Sequence, residues 1–424
     1  MPGRFSNKTK EQLLSMWGMN MAGPLEGIKV LDWTQWQMGT VATAMLAEFG
    51  AEVIHIENRL TGDAGRGLTF PTIGELPAGR TAYFETNNRG KKSLAIDLLK
   101  PEGKEIIYRL VKKADVFVHN FRQGVPEKLK LDYETLRQHN PDIIYAAASG
   151  YGPRGPEAKE PAFDMIGLAR SGITTATSIA GDPNLPVGGG LADQMGAVMT
   201  SYGILMALLV KERLGVGQKV DVSHLGSMMA LQGLTIGIGL YLNPEPRKKL
   251  TRKQAGNPLW NYYPCADGRW IVLGMLQPDR QWPIVCKAMG IEHLMSDPRF
   301  EDADKRRENS EELINTMDEI FITKTVDEWM KILKGTGDVI CTPLQTIHDL
   351  REDPQVIAND YIVECEHEVL GKVKVRGLPV ELSKTPGRVV PEAPECGQHT
   401  EEVLIEMGGY TWEDIAELRD KEVI

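Results

Sequence analysis

Asp193 stands three residues after Gly188-Gly189-Gly190, at the mouth of a long apolar stretch that runs to Val210. An aspartate in such a place is most often an N-cap, accepting from the free backbone N–H groups of a helix start and contributing ~1 kcal/mol. The same physics can serve chemistry. The positive end of a helix keeps the carboxylate ionised, and glycine N–H groups close by can stabilise an oxyanion. A carboxylate held in that way can attack an acyl carbonyl and form a covalent intermediate. On the residues alone both readings stand.

The other familiar chemistries lack their residues. There is no G-x-S-x-G elbow for a serine hydrolase and no H-E-x-x-H, since His367-Glu368 has no second histidine. The 8 histidines (His55, His119, His139, His224, His293, His348, His367 and His399) share no metal-ligand spacing, and each taken singly reads as structural. The 5 cysteines form no C-x-x-C pair. The turn Thr34-Gln35-Trp36-Gln37-Met38-Gly39 carries one glycine where a dinucleotide fingerprint needs three, so Glu57 is not read as a ribose-binding acid. Gly90-Lys91-Lys92-Ser93 has Glu85 where a P-loop has its leading glycine. No metal and no permanently bound cofactor is expected.

The elements that must position Asp193 follow a βα rhythm. Ile28–Trp33, Glu52–Glu57, Asp115–His119 and Asp142–Ala147 read as strands, Thr40–Phe49 and Lys104–Lys113 as helices. A further turn and strand follow at Gly215–Val222. Strands alternating with helices predict an α/β fold, a doubly wound, mostly parallel, Rossmann-like sheet. Residues 1–23 read as an arm and 24–230 as the first part of a large domain. Residues 245–355, with Lys/Arg clusters, Trp260, Tyr262-Tyr263 and helical stretches over Asp302–Phe321 and Val326–Lys334, read as a smaller α/β domain. Residues 375–424 return to the large domain through two helices, Thr400–Met407 and Trp412–Lys421.

The chain of 424 residues is 42% hydrophobic and 25% charged with a net charge of −10, which argues against a nucleic-acid partner. Such acidity does not exclude an anionic ligand held by local cations such as Lys128, Arg59 and the Arg247–Lys253 cluster. The apolar run Met195–Val210, closed by Lys211-Glu212-Arg213, is shorter than the ~20 residues of a membrane span and predicts a buried core helix. Met1–Asn20 has no secretory apolar core, so a cytoplasmic protein with reduced thiols and no membrane association is expected.

Several stretches, in order, resemble the class III CoA-transferases, the group of formyl-CoA transferase and carnitine CoA-transferase. They are Pro24–Asp32, Phe49–Glu57, Asn87–Ser93 with Asp97 and Pro101-Glu102-Gly103, Ala114–Phe121, Gly215–Val222 and Gly397–Leu404. The resemblance covers Pro24 to Ile424. It implies that Asp193 is the nucleophile, attacking an acyl-CoA and passing through a mixed anhydride to an aspartyl-CoA thioester. By the same likeness Gln37 faces the thioester and Asp164 supports the nucleophile. Asn120 and Phe121 then line the adenine and pantetheine, Lys128 meets a phosphate, and Ile96 lies in a loop along the nucleotide. The substrates implied are a CoA thioester and a carboxylic acid. The assembly implied is an interlocked homodimer, or a heteromer with a homologous subunit.

Two departures from the family pattern matter. Asn58 followed by Arg59 stands where formyl-CoA transferase has its arginine, which shifts or removes a phosphate contact. Its all-glycine loop is replaced by Ala255–Tyr263, which points to an acyl group larger than formyl, such as an aromatic or branched acid. The sister α-methylacyl-CoA racemases place a histidine directly before the position of Asp164, and Phe163 stands there. A phenyl ring moves no proton, so racemase is the weaker reading. A non-catalytic CoA-binding subunit is the third.

Overall fold

The computed structural model describes residues 23–68, 75–178, 188–242 and 250–424. The chain divides into two compact units, one of Met1–Ala176, Pro186–Leu242 and Ile357–Ile424, the other of Thr177–Leu185 and Asn243–Val356. The first is built on six strands: β1 (Lys29–Trp33), β2 (Glu52–Asn58), β3 (Lys92–Ile96), β4 (Val116–His119), β5 (Ile144–Ser149) and β6 (Lys219–Ser223). All neighbours are parallel, in the order β3-β2-β1-β4-β5-β6. Runs such as Val30-Leu31, Val53-Ile54 and Val116-Phe117-Val118 are apolar without alternation because helices cover both faces. The chain reverses its direction of travel between β1 and β4, and the crevice at the carboxyl ends of those two strands is where such sheets bind ligands.

The helices used below are α1 (Met38–Glu48), α2 (Ala82–Asn88), α3 (Pro101–Val111), α4 (Asp164–Ser171), α5 (Leu191–Leu214), α6 (His224–Leu231) and α7 (Gly233–Leu242). Helix α5 packs on α1 through small residues. Ser201 Oγ donates to the Ala42 carbonyl at 3.0 Å, and a Cβ at Gly196 would lie 2.7 Å from the Met38 side chain. Near the end of the chain come the hairpin β10 (Ile362–His367) and β11 (Gly371–Arg376), then α11 (Thr400–Glu406) and α12 (Trp412–Asp420). Val403, Leu404, Ile415 and Leu418 of these last helices join Leu31, Ile54, Leu94 and Phe117 in one core, so the tail completes the first unit. The second unit has an antiparallel sheet of β7 (Trp260–Pro264), β8 (Trp270–Gly274) and β9 (Cys341–Pro343). Helices α8 (Pro278–Met289), α9 (Ser310–Phe321) and α10 (Val326–Thr336) pack with it around Tyr263, Trp282, Phe321 and Trp329.

Three expectations need correction. Lys92–Ile96 is a strand, so Ile96 is no loop residue; it ends β3 and is 1% exposed. Its signal is weak because β3 is a short edge strand that begins on Lys92, directly after Lys91. The stretch Asp302–Phe321 is broken at Asn309 into Ala303–Glu308 and α9. Helix α5 is not buried all round. Its 24 residues are long and apolar enough to cross a bilayer by length and composition alone. One face, with Ala197, Thr200, Ile204 and Ala207, is buried, while Val198, Tyr202, Leu205, Met206 and Leu209 are exposed.

Beneath the β1 end lies a buried set of charges. Asp32 accepts from Thr34 Oγ1 (2.6 Å), Thr43 Oγ1 (2.7 Å) and Lys91 Nζ (2.8 Å), and meets His55 Nδ1 at 3.0 Å. The other ring nitrogen of His55 lies 3.2 Å from Asp63. Burial opposes the charge on His55, but Asp32 and then Asp63 outweigh it and push its pKa up to about 9. A pKa higher in the folded than in the unfolded chain stabilises fully below ~6.5, and that stability is lost as pH rises through the folded value. Urea unfolding should therefore show the advantage of wild type over His55→Gln shrinking by roughly 3 kcal/mol between pH 6.5 and 9. A constant difference would place a neutral His55 in the fold.

Candidate active site

Asp193 lies in the first turn of α5, whose N-cap is Gly190 with φ 68° and no side-chain cap. The expectation of a capping aspartate therefore fails at Asp193, and the cap comes from elsewhere. Asp164, first residue of α4, accepts through Oδ1 from the N–H groups of Ala192 (2.6 Å) and Asp193 (3.0 Å). Burial, then the neighbouring Asp193 carboxylate, raise the Asp164 pKa against the pull of those N–H groups. With the free donors taken by Asp164, the Asp193 carboxylate is left to face a cleft of 390 Å³.

The cleft opens at the carboxyl ends of the strands around the switch point. The β1 turn contributes Gln35, Trp36 and Gln37, the β4 end Asn120, Phe121 and Arg122, and the residue after β6 is His224. Asn120 ties the two sides together, accepting from the Gln35 N–H at 2.9 Å and donating to the Gln35 carbonyl at 2.7 Å. Trp36 has φ 65°, an unfavourable conformation for a bulky side chain, and its N–H donates to Asp63 Oδ1 at 3.3 Å. The buried charges thus hold the turn that presents Gln37. Phe121 packs at 4.2 Å on Trp33, and Phe163 meets Trp36 edge-on at 6.0 Å, giving the cleft apolar walls.

Tyr83 of α2 also lines the cleft. Burial and the charges of Asp193, Asp63 and Asp164 raise its pKa well above the usual phenol value, so its hydroxyl remains a donor. His119, at the end of β4, is pushed down to about 3 by burial, and its neutral Nδ1 accepts from the Phe121 N–H at 3.2 Å.

The fold thus brings Asp193, Gln37, Asp164, Asn120 and Phe121 together. Four expected contacts lie outside the cleft. Asn58 is exposed and accepts from the N–H groups of Leu60 and Thr61 (2.9 and 3.1 Å), a turn-forming role. Arg59 sits 3.9 Å from Glu422, Ile96 is buried in the sheet, and Lys128 is exposed on the short helix Val125–Leu129. In the basic cluster, Arg247, Lys248 and Lys249 lie outside the described residues, and Arg252 is engaged by Asp318 and the Tyr262 carbonyl. Sequence reasoning missed Tyr83, Arg122 and His224. For His224 a signal existed, because it directly follows the Lys219–Ser223 strand, at the sheet edge where ligands bind.

Gly190 needs its identity twice over. Its φ is positive, and a Cβ there would lie 2.6 Å from both amide atoms of Gln37. Gly190→Ala should cost about 1–2 kcal/mol from the left-handed backbone and displace Gln37, lowering turnover at least ~10-fold by misplacement. Thermal melts and CoA-exchange rates measure both. Wild-type turnover in that variant would separate Gln37 from the reaction.

Comparison with known proteins shows the family. The profile of CoA-transferase family III matches residues 25–400. The chain is 31% identical to the (R)-2-hydroxy-4-methylpentanoate CoA-transferase of Clostridioides difficile, over 94% of this chain and 99% of that protein. It is 33% identical to the succinyl-CoA–D-citramalate CoA-transferase of Chloroflexus aurantiacus, over 95% and 98%. Among solved structures, a CAIB/BAIF family protein from Brucella suis superposes with a TM-score of 0.82 at 26% identity, covering 91% of this chain and 100% of that one. The chain therefore belongs to CoA-transferase family III and is an enzyme of the class III CoA-transferases.

Proposed function

We propose that this transferase moves CoA from an acyl-CoA to a carboxylic acid through an aspartyl-CoA thioester on Asp193. The observation that carries the reading is the start of α5. Asp164 satisfies the N–H groups of Ala192 and Asp193, which leaves a second carboxylate, Asp193, half-buried and facing the cleft. The helix end stabilises its negative charge. One Asp193 oxygen attacks the thioester carbonyl, giving a mixed anhydride and CoA thiolate. The thiolate then attacks the aspartyl carbonyl and releases the donor acid. The acceptor acid runs the same steps backwards. Gln37 and Tyr83 line the same cleft and can supply donors to the reacting carbonyl, and Arg122 offers a cation on the cleft wall.

The acyl group we infer is larger than formyl. Trp36, Phe121 and Phe163 give the cleft apolar walls suited to a branched or aromatic acid. In the second unit Trp260 and Tyr262, from the stretch that replaces a glycine loop, remain half-exposed, whereas Leu259 and Tyr263 are buried in that unit's core. The relatives act on a branched hydroxy acid and on a hydroxylated dicarboxylic acid, by their names. A racemase would need a proton carrier at Phe163, and none stands there.

The test is intact mass after mixing pure protein with succinyl-CoA, 4-methylpentanoyl-CoA or 2-benzylsuccinyl-CoA. Wild type should gain the mass of CoA less water, and hydroxylamine should then release CoA and leave a hydroxamate on Asp193. Asp193→Ala should gain nothing and lose at least ~10⁴-fold in exchange, as when a nucleophile is removed. Adducts that persist in Asp193→Ala would move the chemistry elsewhere. A wild-type chain inert towards every donor, until a homologous subunit is added, would favour the non-catalytic reading.

We also infer a dimer. The outer face of α5 and the helix α7, with Leu234 80%, Leu240 79% and Tyr241 90% exposed, present large apolar side chains of the kind that mark a protein contact. Sedimentation equilibrium should give twice the 47.0 kDa chain mass. A monomer at micromolar concentration would remove this inference.

A further inference from the structure

The reaction as written uses no histidine, yet one touches the nucleophile. His224 Nε2 lies 2.8 Å from Asp193 Oδ1, with side chains 7% and 15% exposed. His224 is fixed at the first position of α6, where Ser223 Oγ accepts from the Gly226 N–H. Gly167 of α4 packs against it so closely that a Cβ there would lie 2.8 Å from the His224 Cβ. No described protein group pairs with its buried Nδ1. An ionised carboxylate only accepts, so the contact requires the proton on Nε2, and His224 donates into one named oxygen.

We propose that His224 decides which oxygen of Asp193 reacts and stabilises charge on the one that does not. This rests on the aspartyl-CoA reading and adds a stereochemical consequence to it. With Oδ1 held by His224, Oδ2 is the free nucleophile. It bonds to the acyl carbon as the carbon–sulfur bond of the donor breaks, and the thiolate leaves with that electron pair. The thiolate then bonds to the aspartyl Cγ, and the carbonyl electron pair moves onto Oδ1. The oxyanion therefore forms on the atom that faces the His224 N–H. Its collapse restores the Cγ–Oδ1 double bond and breaks Cγ–Oδ2, so the donor acid departs carrying Oδ2. An acceptor carboxylate oxygen next adds to Cγ, again with charge on Oδ1, and expels the thiolate. Attack of the thiolate on the acceptor carbonyl leaves the acceptor oxygen on Asp193 in the Oδ2 place. No proton moves in any step. Each turnover replaces Oδ2, and Oδ1 never leaves Cγ unless the carboxylate flips.

The experiment uses the full-length protein and whichever acyl-CoA of the three above turns over, mixed with its own acid carrying ¹⁸O in both carboxylate oxygens. After many turnovers the Asp193 peptide is weighed. Wild type should gain one ¹⁸O and no more. His224→Asn puts its amide nitrogen at the Nδ1 place, out of reach of Oδ1, and should gain two while forming the CoA adduct ~10²-fold more slowly, the usual effect of losing one oxyanion donor. His224→Gln keeps an N–H near the Nε2 place and should stay within about 10-fold of wild type, with one ¹⁸O. Two ¹⁸O atoms in wild type would overturn the proposal, and that measurement needs no variant to fold. An adduct rate in His224→Asn equal to wild type would overturn the oxyanion role. The underlying mechanism fails separately: it falls if wild type forms no adduct, or if Asp193→Ala still forms one, and the role of His224 falls with it.

Discussion

The site depends on one helix start that must serve two carboxylates. The first turn of any helix offers free N–H donors and a partial positive charge, enough to hold one anion well. Here Asp164 reaches in from α4 and takes the backbone donors of Ala192 and Asp193, while Asp193 keeps the field of the helix end and the His224 ring at 2.8 Å. The division explains why Gly190, with no side chain to cap the helix, stands at the N-cap position. A capping serine or aspartate at 190 would compete with Asp164 and collide with Gln37. It also explains the raised pKa of Asp164, which is buried beside a second negative charge. A nucleophile whose oxygens were both engaged by backbone N–H groups would be stable and unreactive.

A second constraint fixes the opposite wall. The turn after β1 must carry Trp36 through a positive φ to present Gln37, and such a backbone persists only where its surroundings over-determine it. Two sets of contacts do so. Asn120 clasps the Gln35 peptide from the far side of the switch point, and Asp63 accepts from Trp36 while leaning on His55, Asp32 and Lys91. Burying so many ionised groups is costly and adds little net stability. Their arrangement makes sense as a scaffold that sets one turn, because each charge is paired and the chain of pairs ends at Trp36. Asn120 therefore acts first on protein geometry and only then on any ligand in the cleft.

Much of this was legible in the sequence, and the gaps have physical reasons. The alternation of apolar runs and helical patterns shows the parallel sheet, because buried strands such as Val116–His119 need no turn partner to be recognised. Strand β3 escaped because an edge strand is half as constrained and Lys92 hides its start. Asp193, Gln37 and Asp164 were found through likeness to a family, and the fold brings them within one cleft or one cap. Asn58 and Lys128 lie on the surface, where an exposed side chain carries no pattern that burial would impose, and Arg59 faces Glu422 instead of the cleft. His224 was passed over because histidines judged one by one look structural. What makes it different is a contact across 31 residues of sequence, which only the return of the chain through β6 creates.

That contact also bears on the choice between acyl transfer and proton transfer. Inverting a carbon centre by deprotonation and reprotonation needs two bases on opposite faces of that carbon. His224 and Asp193 are hydrogen-bonded to each other at 2.8 Å, so no carbon fits between them, and the two present one face to the cleft. The position that could supply an opposed base, just before Asp164, holds Phe163, whose ring meets Trp36 instead. A histidine joined to the nucleophile by its own hydrogen bond is of little use to a racemase. In the acyl transfer proposed above the same bond would be productive, because negative charge would grow on the very oxygen it touches. One His–Asp pair thus suits one chemistry and hinders the other, through geometry and not through residue type.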